Sequence, residues 1–90
     1  MNPHPMTITV RYFASVRERL GAQECVDLAS LDRPTMGDLL AWLQARSDDH
    51  ARMLDPDRGL RMARNQALCE ADEALSDGDE VAFFPPVTGG

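Results

Sequence analysis

The stretch Asp77–Gly90 reads DGDEVAFFPPVTGG, and it decides the fold because one short run holds a turn, a strand and an extended segment. Asp77-Gly78 is a strong turn signal, and Val81–Phe84 is a short apolar run that favours a β-strand. Pro85 and Pro86 must end that strand, since proline has no N–H to donate to a sheet and its ring fixes φ. The sequence therefore predicts a final strand that gives way to a stiff, extended tail.

The predicted tail, residues 85–90, ends in Gly89-Gly90. Six extended residues span roughly 20 Å, which is enough to reach deep into another protein. Glycine has no side chain, so a narrow channel would admit this end and the terminal carboxylate would be open to attack. A diglycine end therefore suits a carboxylate that is itself the reactive group, and on composition alone the alternative is a frayed terminus without function.

The run Asp77–Gly90 resembles the C-terminal signature of the MoaD family, the ubiquitin-like sulfur carriers that form the small subunit of molybdopterin synthase. The resemblance extends to Tyr12–Glu18, which is similar to the exit of the family's first strand, and to the pair Asn65-Gln66. It covers Met6–Gly90 and implies a ubiquitin-like β-grasp fold, in which the first and last strands pair in the middle of the sheet.

The resemblance also implies a function in sulfur transfer. In the family, an activating enzyme of the ubiquitin-activating type uses ATP to adenylate the terminal glycine, and sulfur from a persulfide then displaces AMP to leave a thiocarboxylate. The carrier delivers that sulfur to cyclic pyranopterin monophosphate on the large subunit of molybdopterin synthase. Carried over to this chain, Gly90 bears the sulfur, Gly89 gives clearance, and Val87-Thr88 is held in the channel beyond Pro85 and Pro86.

The remaining expectations from the family concern partners and assembly. ATP is used by the activating adenylyltransferase, and this chain binds no cofactor. A heterotetramer of two small and two large subunits is the assembly that the resemblance implies. The chain offers no nucleophile and base pair, phosphate-binding loop or metal cluster of its own, so the acid and base groups would belong to the partner.

Two phenylalanines fall on the polar side of their predicted strands. The alternation of Met6–Phe13 places Phe13 opposite the apolar positions, and Phe84 lies on the face opposite Val81. If the first and last strands are neighbours, Phe13 and Phe84 meet on the outer face, where the family pattern adds Leu68. We interpret these three residues as a partner-docking patch, with local burial of one phenylalanine by a loop as the alternative.

The energetics of an inserting tail favour such a patch. Ordering six backbone residues costs on the order of 6–12 kcal/mol before the prolines reduce that cost. Burying three large apolar side chains supplies roughly 5–9 kcal/mol, which is comparable.

The rest of the chain predicts an α+β domain with one main helix packed across a mixed sheet. Thr35 is the expected N-cap of that helix, and Asp38, three residues later, is expected to complete an arrangement like a capping box. The other predicted elements are a helical turn at Ala14–Gly21, a strand at Gln23–Ala29, a further turn at His50–Leu54, and strand pieces at Leu60–Asn65 and Ala67–Cys69. The apolar stripe of the main helix consists of Met36, Leu39, Leu40 and Leu43.

Composition limits the classes of function. Ninety residues make one domain, with residues 1–5 as a disordered lead-in, residues 6–84 as the folded part and residues 85–90 as the tail. Fifteen acidic and nine basic residues give a net charge of -6, which disfavours nucleic acid as a partner. No apolar run is long enough to span a membrane and residues 1–5 lack the apolar region of a secretory signal, so we expect a cytoplasmic protein.

The two cysteines and two histidines lack the spacing of a chemical site. Cys25 and Cys69 have no CxxC spacing, and we interpret both as structural thiols, although sequence leaves a disulfide between them open. His4 and His50 have no partner at metal-ligand spacing and are expected on the surface.

Three alternative functions stay open at this point. The chain could carry sulfur for thiamin, cysteine or tRNA thiolation, although Phe84–Thr88 favours the molybdenum pathway. It could instead be a ubiquitin-like modifier whose Gly90 forms an isopeptide bond with a lysine. A plain adaptor that binds only through the patch would tolerate deletion of Gly89-Gly90.

Overall fold

The computed structural model describes residues 6–86, so the predicted lead-in and the tail residues 87–90 lie outside the described part. Within residues 6–86, no helix combines the length and the apolar content that a membrane crossing requires. The elements in chain order are β1 (Thr7–Tyr12), α1 (Ala14–Leu20), β2 (Gln23–Asp27), α2 (Met36–Gln44), α3 (Asp48–Met53), β3 (Arg61–Arg64), β4 (Ala67–Leu68) and β5 (Glu80–Phe84), with 3₁₀ turns at Leu28–Ser30 and Pro56–Arg58.

The five strands form one mixed sheet in the order β2-β1-β5-β3-β4. β1 and β5 are parallel neighbours in its centre, with Tyr12 opposite Phe83, and the other three pairings are antiparallel. A parallel pair needs a long crossover connection, and α2 lies within the chain that joins the two strands. The central pairing of the first and last strands is therefore confirmed, as is the α+β class.

The hydrophobic core lies between the inner face of the sheet and α2. Tyr12 and Phe83 stack with their ring centroids 6.4 Å apart, which ties the two central strands together on that face. The buried core also takes in Leu54 and Leu75 from the connecting segments. From the sheet and α2, it contains Ile8, Val10, Val26, Val81, Met36, Leu39, Leu40 and Leu43, so the predicted helical stripe is confirmed.

The start of α2 differs from the prediction in one detail. The Thr35 hydroxyl accepts a hydrogen bond from the Asp38 N–H at 3.2 Å, as an N-cap does. The Asp38 carboxylate, however, accepts a hydrogen bond from the Arg33 N–H at 2.8 Å. It does not accept one from the Thr35 N–H, which a capping box would require. The Thr35 N–H already donates to the Arg33 carbonyl, so the carboxylate bonds to the next free donor.

The second strand ends earlier than predicted. β2 stops at Asp27, whose carboxylate accepts a hydrogen bond from the Ala29 N–H at 2.9 Å and starts the 3₁₀ turn. Local bonding of this kind competes with the sheet for backbone donors. Leu28 is buried, although it lies in the turn and not in the strand.

Candidate functional site

The central strand β5 positions the tail root, by which we mean Pro85 and Pro86, the first two residues after the strand. It lies between β1 and β3, with its last residue Phe84 opposite Arg61 of β3. On the other side, the Phe13 N–H donates to the Phe83 carbonyl at 3.2 Å. Pro85 follows, half-buried, and Pro86 is exposed. The chain therefore leaves the sheet from its middle, where strands on both sides fix its direction.

The outer face of the sheet carries an apolar groove beside this exit. Phe13, Leu68 and Phe84 all line it, and it has a volume of about 630 Å³. Leu68 is 64% exposed, and the two phenylalanines are half-buried. The structure thus brings together the three residues that the sequence singled out, and we call them the docking patch.

Small side chains form the floor of this groove. Ala63 lies opposite both Ala82 of β5 and Leu68 of β4, and all three face away from the core. Ala63 is only 6% exposed although it lies on the outer face. Methyl groups between larger side chains leave a depression that a partner's side chain can fill. Sequence reasoning missed both alanines. Ala82 lies two residues before Phe84 and so shares its face, but spacing along the sequence does not place Ala63 beside it.

Arginines border the groove on a chain of net charge -6. The Arg11 guanidinium lies 5.1 Å from the centroid of the Phe13 ring, within cation-π range. It also lies 3.6 Å from the Glu80 carboxylate, and both side chains are well exposed, so this pair adds little stability. Arg61 on the opposite border is exposed. The groove therefore combines an apolar centre with arginines at its borders, of which Arg11 is paired with Glu80 and Arg61 is exposed.

A second, smaller cleft of about 200 Å³ lies on the other side of the tail root. Pro85 and Pro86 form one wall of it. The opposing residues come from α1, α3 and the segment that follows them, and they are Ser15, Val16, Arg52, Met53, Asp55, Arg58 and Leu60. The tail root therefore has folded chain on both sides, the docking patch on one and this cleft on the other.

The pair Asn65-Gln66 forms the two-residue turn between β3 and β4, with φ of 49° and 71°. Asn65 also fixes the start of β5. Its backbone N–H donates to the Glu80 carbonyl at 2.7 Å, and its side-chain oxygen accepts from the Glu80 N–H at 2.9 Å. Asparagine tolerates a left-handed backbone better than most residues, which explains this residue type at this position. The pair is therefore structural support for the strand that ends in the tail.

Asp79 is the one buried charged residue among those described, with 7% of its surface exposed. Its carboxylate accepts hydrogen bonds from Arg64 Nε at 2.7 Å, the Ser76 N–H at 2.8 Å and Asn65 Nδ2 at 3.0 Å. Burial alone would raise the pKa of Asp79, but these three donors outweigh it and hold that pKa below its usual range. Asp79 thus connects the turn before β5 to the β3–β4 hairpin.

A polar cluster joins the sheet to the ends of α2 and α3. The buried Tyr12 hydroxyl donates to Glu24 Oε2 at 2.7 Å, and Arg46 pairs with the same carboxylate. Burial would raise the pKa of Glu24, but the hydrogen bonds from Tyr12 and Arg46 hold it below its usual value. Burial raises the pKa of Tyr12 well above its usual value, and the hydrogen bond to Glu24 raises it further.

His50 was expected on the surface, and it is partly exposed there. Its side chain is only 17% exposed, and its Nε2 lies 3.7 Å from Glu24 Oε2. Its Nδ1 lies 2.7 Å from the Ser47 hydroxyl, at the start of α3. The chain connection between α2 and α3 brings these groups together, and spacing along the sequence gives no sign of that. His4 lies outside the described residues.

The cysteines differ from each other. Cys25, interpreted from the sequence as a structural thiol, is an exposed free thiol on the outward side of β2, so it has no packing role in the core. Cys69 is a free thiol packed partly against the core, and burial raises its pKa. Neither forms a disulfide in this structure. Among residues 6–86, no group of three or more acidic, histidine or cysteine side chains is arranged to hold a metal ion.

The mixed sheet with its central parallel pair and crossing helix defines a protein of the ubiquitin-like β-grasp class. The ThiS family matches residues 10–90. The molybdopterin synthase sulfur carrier subunit of Escherichia coli is 48% identical over 83 residues, which cover 92% of this chain and 99% of the relative. The chain belongs to the ThiS family.

Two solved structures extend the comparison. Small archaeal modifier protein 1 of Haloferax volcanii superposes with a TM-score of 0.72 at 30% identity, covering 90% of this chain and 98% of that one. A chain from the complex of subunits 1 and 2 of molybdopterin-converting factor from Helicobacter pylori gives a TM-score of 0.63 at 26% identity, covering 94% of this chain and 100% of the other. The relatives thus include sulfur carriers and protein modifiers.

Proposed function

We propose that this chain is the sulfur carrier subunit of a molybdopterin synthase. The observation that carries the proposal is the docking patch, because it lies directly beside the point where the tail leaves the sheet. Holding a tail in one conformation inside a partner costs conformational entropy, and a neighbouring apolar surface supplies free energy that offsets this cost. The 48% identity to the Escherichia coli sulfur carrier subunit supports the same function.

In this proposal the chemistry takes place at Gly90, outside the described residues. A carboxylate resists nucleophilic attack at neutral pH, so it must first be activated. An adenylyltransferase of the ubiquitin-activating type would use ATP to form the Gly90 acyl-adenylate. The terminal sulfur of a persulfide would then displace AMP, and a thiol would cleave the resulting acyl disulfide to leave the thiocarboxylate. Gly89 would give clearance, and Val87-Thr88 would be held by main-chain contacts in the partner's channel. The folded domain contributes docking and direction, and the enzyme partners contribute acid and base groups.

The proposed acceptor partner is the large subunit of molybdopterin synthase. The Helicobacter pylori relative, solved as a complex of subunits 1 and 2, supports a partner of this kind. The apolar centre and arginine borders of the groove fit a partner surface that presents an apolar side chain flanked by carboxylates. Two carriers and two large subunits would form the complete heterotetramer, with the sulfur passing to cyclic pyranopterin monophosphate.

The proposal is tested by intact mass spectrometry after incubation with ATP, a sulfur source and the activating enzyme of the pathway. We expect a mass increase equal to the replacement of one oxygen by sulfur, located at Gly90 and lost when the large subunit and the pterin precursor are added. A variant with one residue appended after Gly90 should fold normally and gain no sulfur. Molybdopterin formation by that variant would refute the proposal.

Protein modification is the second candidate, favoured by the 30% identity to small archaeal modifier protein 1. In that function Gly90 would be joined to a lysine by an isopeptide bond. Such adducts survive both thiols and denaturant, whereas a thioester does not survive thiols. Covalent conjugates with this stability, lost when Gly89-Gly90 is deleted, would support the modifier function over the synthase subunit.

A further inference from the structure

The turn Pro56–Arg58 and the residue after it lie against the root of the tail. Gly59 ends this turn with φ 84° and ψ 17°, and its N–H donates to the Pro56 carbonyl at 3.0 Å. A left-handed backbone of this kind favours glycine. Conformation alone therefore gives one reason for glycine at position 59.

The contact with Pro86 gives a second reason. A Cβ added to Gly59 would lie 3.1 Å from Pro86 Cγ and 3.3 Å from its Cβ, whereas ordinary van der Waals contact is 3.4–4 Å. Gly21 and Gly78 also have positive φ, at 95° and 85°, but a Cβ at either would have no atom within 4 Å. Of the three described glycines with positive φ, Gly59 is therefore the one at which a side chain would collide with the tail at Pro86.

We propose that Gly59 is a positioning residue for the tail: its bare Cα lets the Pro86 ring pack closely, and this contact fixes the direction in which the chain continues. The inference rests on the proposed function, because direction matters only if the end of the tail must reach a reacting partner. Proline restricts φ at both Pro85 and Pro86, so a displacement of the Pro86 ring shifts the point from which the rest of the tail starts.

The size of the effect follows from the lengths involved. Relieving the contact at Gly59 requires a shift of Pro86 of roughly 0.5 Å, which over one 3.8 Å Cα step is a tilt of about 8°. Four residues held extended in a partner's channel would span roughly 13 Å, so the same tilt would move their end by about 2 Å. A misplacement of about 1 Å can cost a reaction up to roughly a hundredfold. Because the partner's channel corrects part of the error, we expect about a tenfold loss.

The test compares Gly59→Ala with Gly78→Ala, since both place a side chain on a left-handed backbone and only the first meets the tail. Each variant is prepared as the thiocarboxylate and mixed with the large subunit and pterin precursor in a single-turnover experiment. We expect Gly59→Ala to transfer sulfur about tenfold more slowly at saturation, with its Kd for the large subunit within threefold of the parent. Gly78→Ala should match the parent in both quantities.

A double-mutant cycle with Pro86→Gly shows whether the effect acts through the proline. Pro86→Gly removes the three atoms that would lie nearest to the new Cβ, so adding Gly59→Ala to it should slow transfer by less than twofold. An equal slowing in both backgrounds, or a Gly59→Ala variant as fast as Gly78→Ala, would overturn the inference. So would a loss of affinity without a loss of rate. If the parent chain itself delivers no sulfur, the proposed function fails instead.

Discussion

Truncating Leu68 to alanine should weaken docking of the large subunit and leave the fold intact. Full burial of a leucine side chain is worth about 1.5–3 kcal/mol, and the 64% of Leu68 that is exposed here is the part a partner can still cover. Docking therefore gains about 1–2 kcal/mol from this residue, of which alanine retains a minor share. We expect the Kd to rise about five- to tenfold.

Isothermal titration calorimetry with the large subunit measures this change, and urea denaturation of the free chain provides the stability control. Since Leu68 is largely exposed in the free chain, its truncation should change the free energy of unfolding by less than about 0.5 kcal/mol. Met6→Ala is the matched comparison, because Met6 is 53% exposed and precedes β1, away from the docking patch. A Leu68→Ala Kd within twofold of the parent, or an equal loss for Met6→Ala, would refute the assignment of the patch.

Three further substitutions test the elements that hold β5 in place. Asp79→Ala should lower the free energy of unfolding at pH 7 by about 2 kcal/mol, because three hydrogen bonds to a buried carboxylate are lost. The folded pKa of Asp79 is depressed, so its contribution is complete above its unfolded pKa of about 4 and is lost as pH falls through the folded value. Urea titrations from pH 7 to pH 2 should therefore show that the free energy of unfolding falls less steeply with decreasing pH in the variant than in the parent. An equally steep fall in both would contradict this. Tyr12→Phe should cost about 1 kcal/mol through the missing bond to Glu24, measured by urea denaturation, and an unchanged midpoint would show that the bond adds nothing. Gln66→Gly should raise the thermal midpoint, since about 1 kcal/mol of left-handed strain is relieved and only part is offset by the freer unfolded chain; a lower midpoint would be the opposite result.

Local periodicity made much of the fold predictable. The alternation in β1 and the stripe of α2 are properties of neighbouring residues, so they can be read from one short window. Phe13 and Phe84 were informative because each breaks the pattern of its own strand. Their meeting on one face depended on the pairing of β1 with β5, which came from the family resemblance and not from spacing.

Contacts between residues that are distant in the chain could not be predicted from the sequence. His50 lies in α3 and approaches Glu24 of β2, and spacing along the chain gives no sign of that contact. The two alanines that form the floor of the groove lie side by side because of the register between β3 and β5, which periodicity does not give. The contact between Gly59 and Pro86 is of the same kind, since a turn signal explains a glycine but not what packs against it.

The position of β5 has a consequence for how the chain is made. β1 with β2, and β3 with β4, form two hairpin-like pairs that share no direct pairing, and β5 joins them. A ribosome synthesises β5 after both pairs, so the two pairs lack the strand that joins them in the sheet until β5 leaves the exit tunnel. Nascent chains arrested before β5 emerges should be digested readily by protease, and those arrested after it should resist. Translation thus releases a stable domain only once the strand that leads into the tail has been made, and a prematurely terminated product would be degraded before it could occupy a partner enzyme.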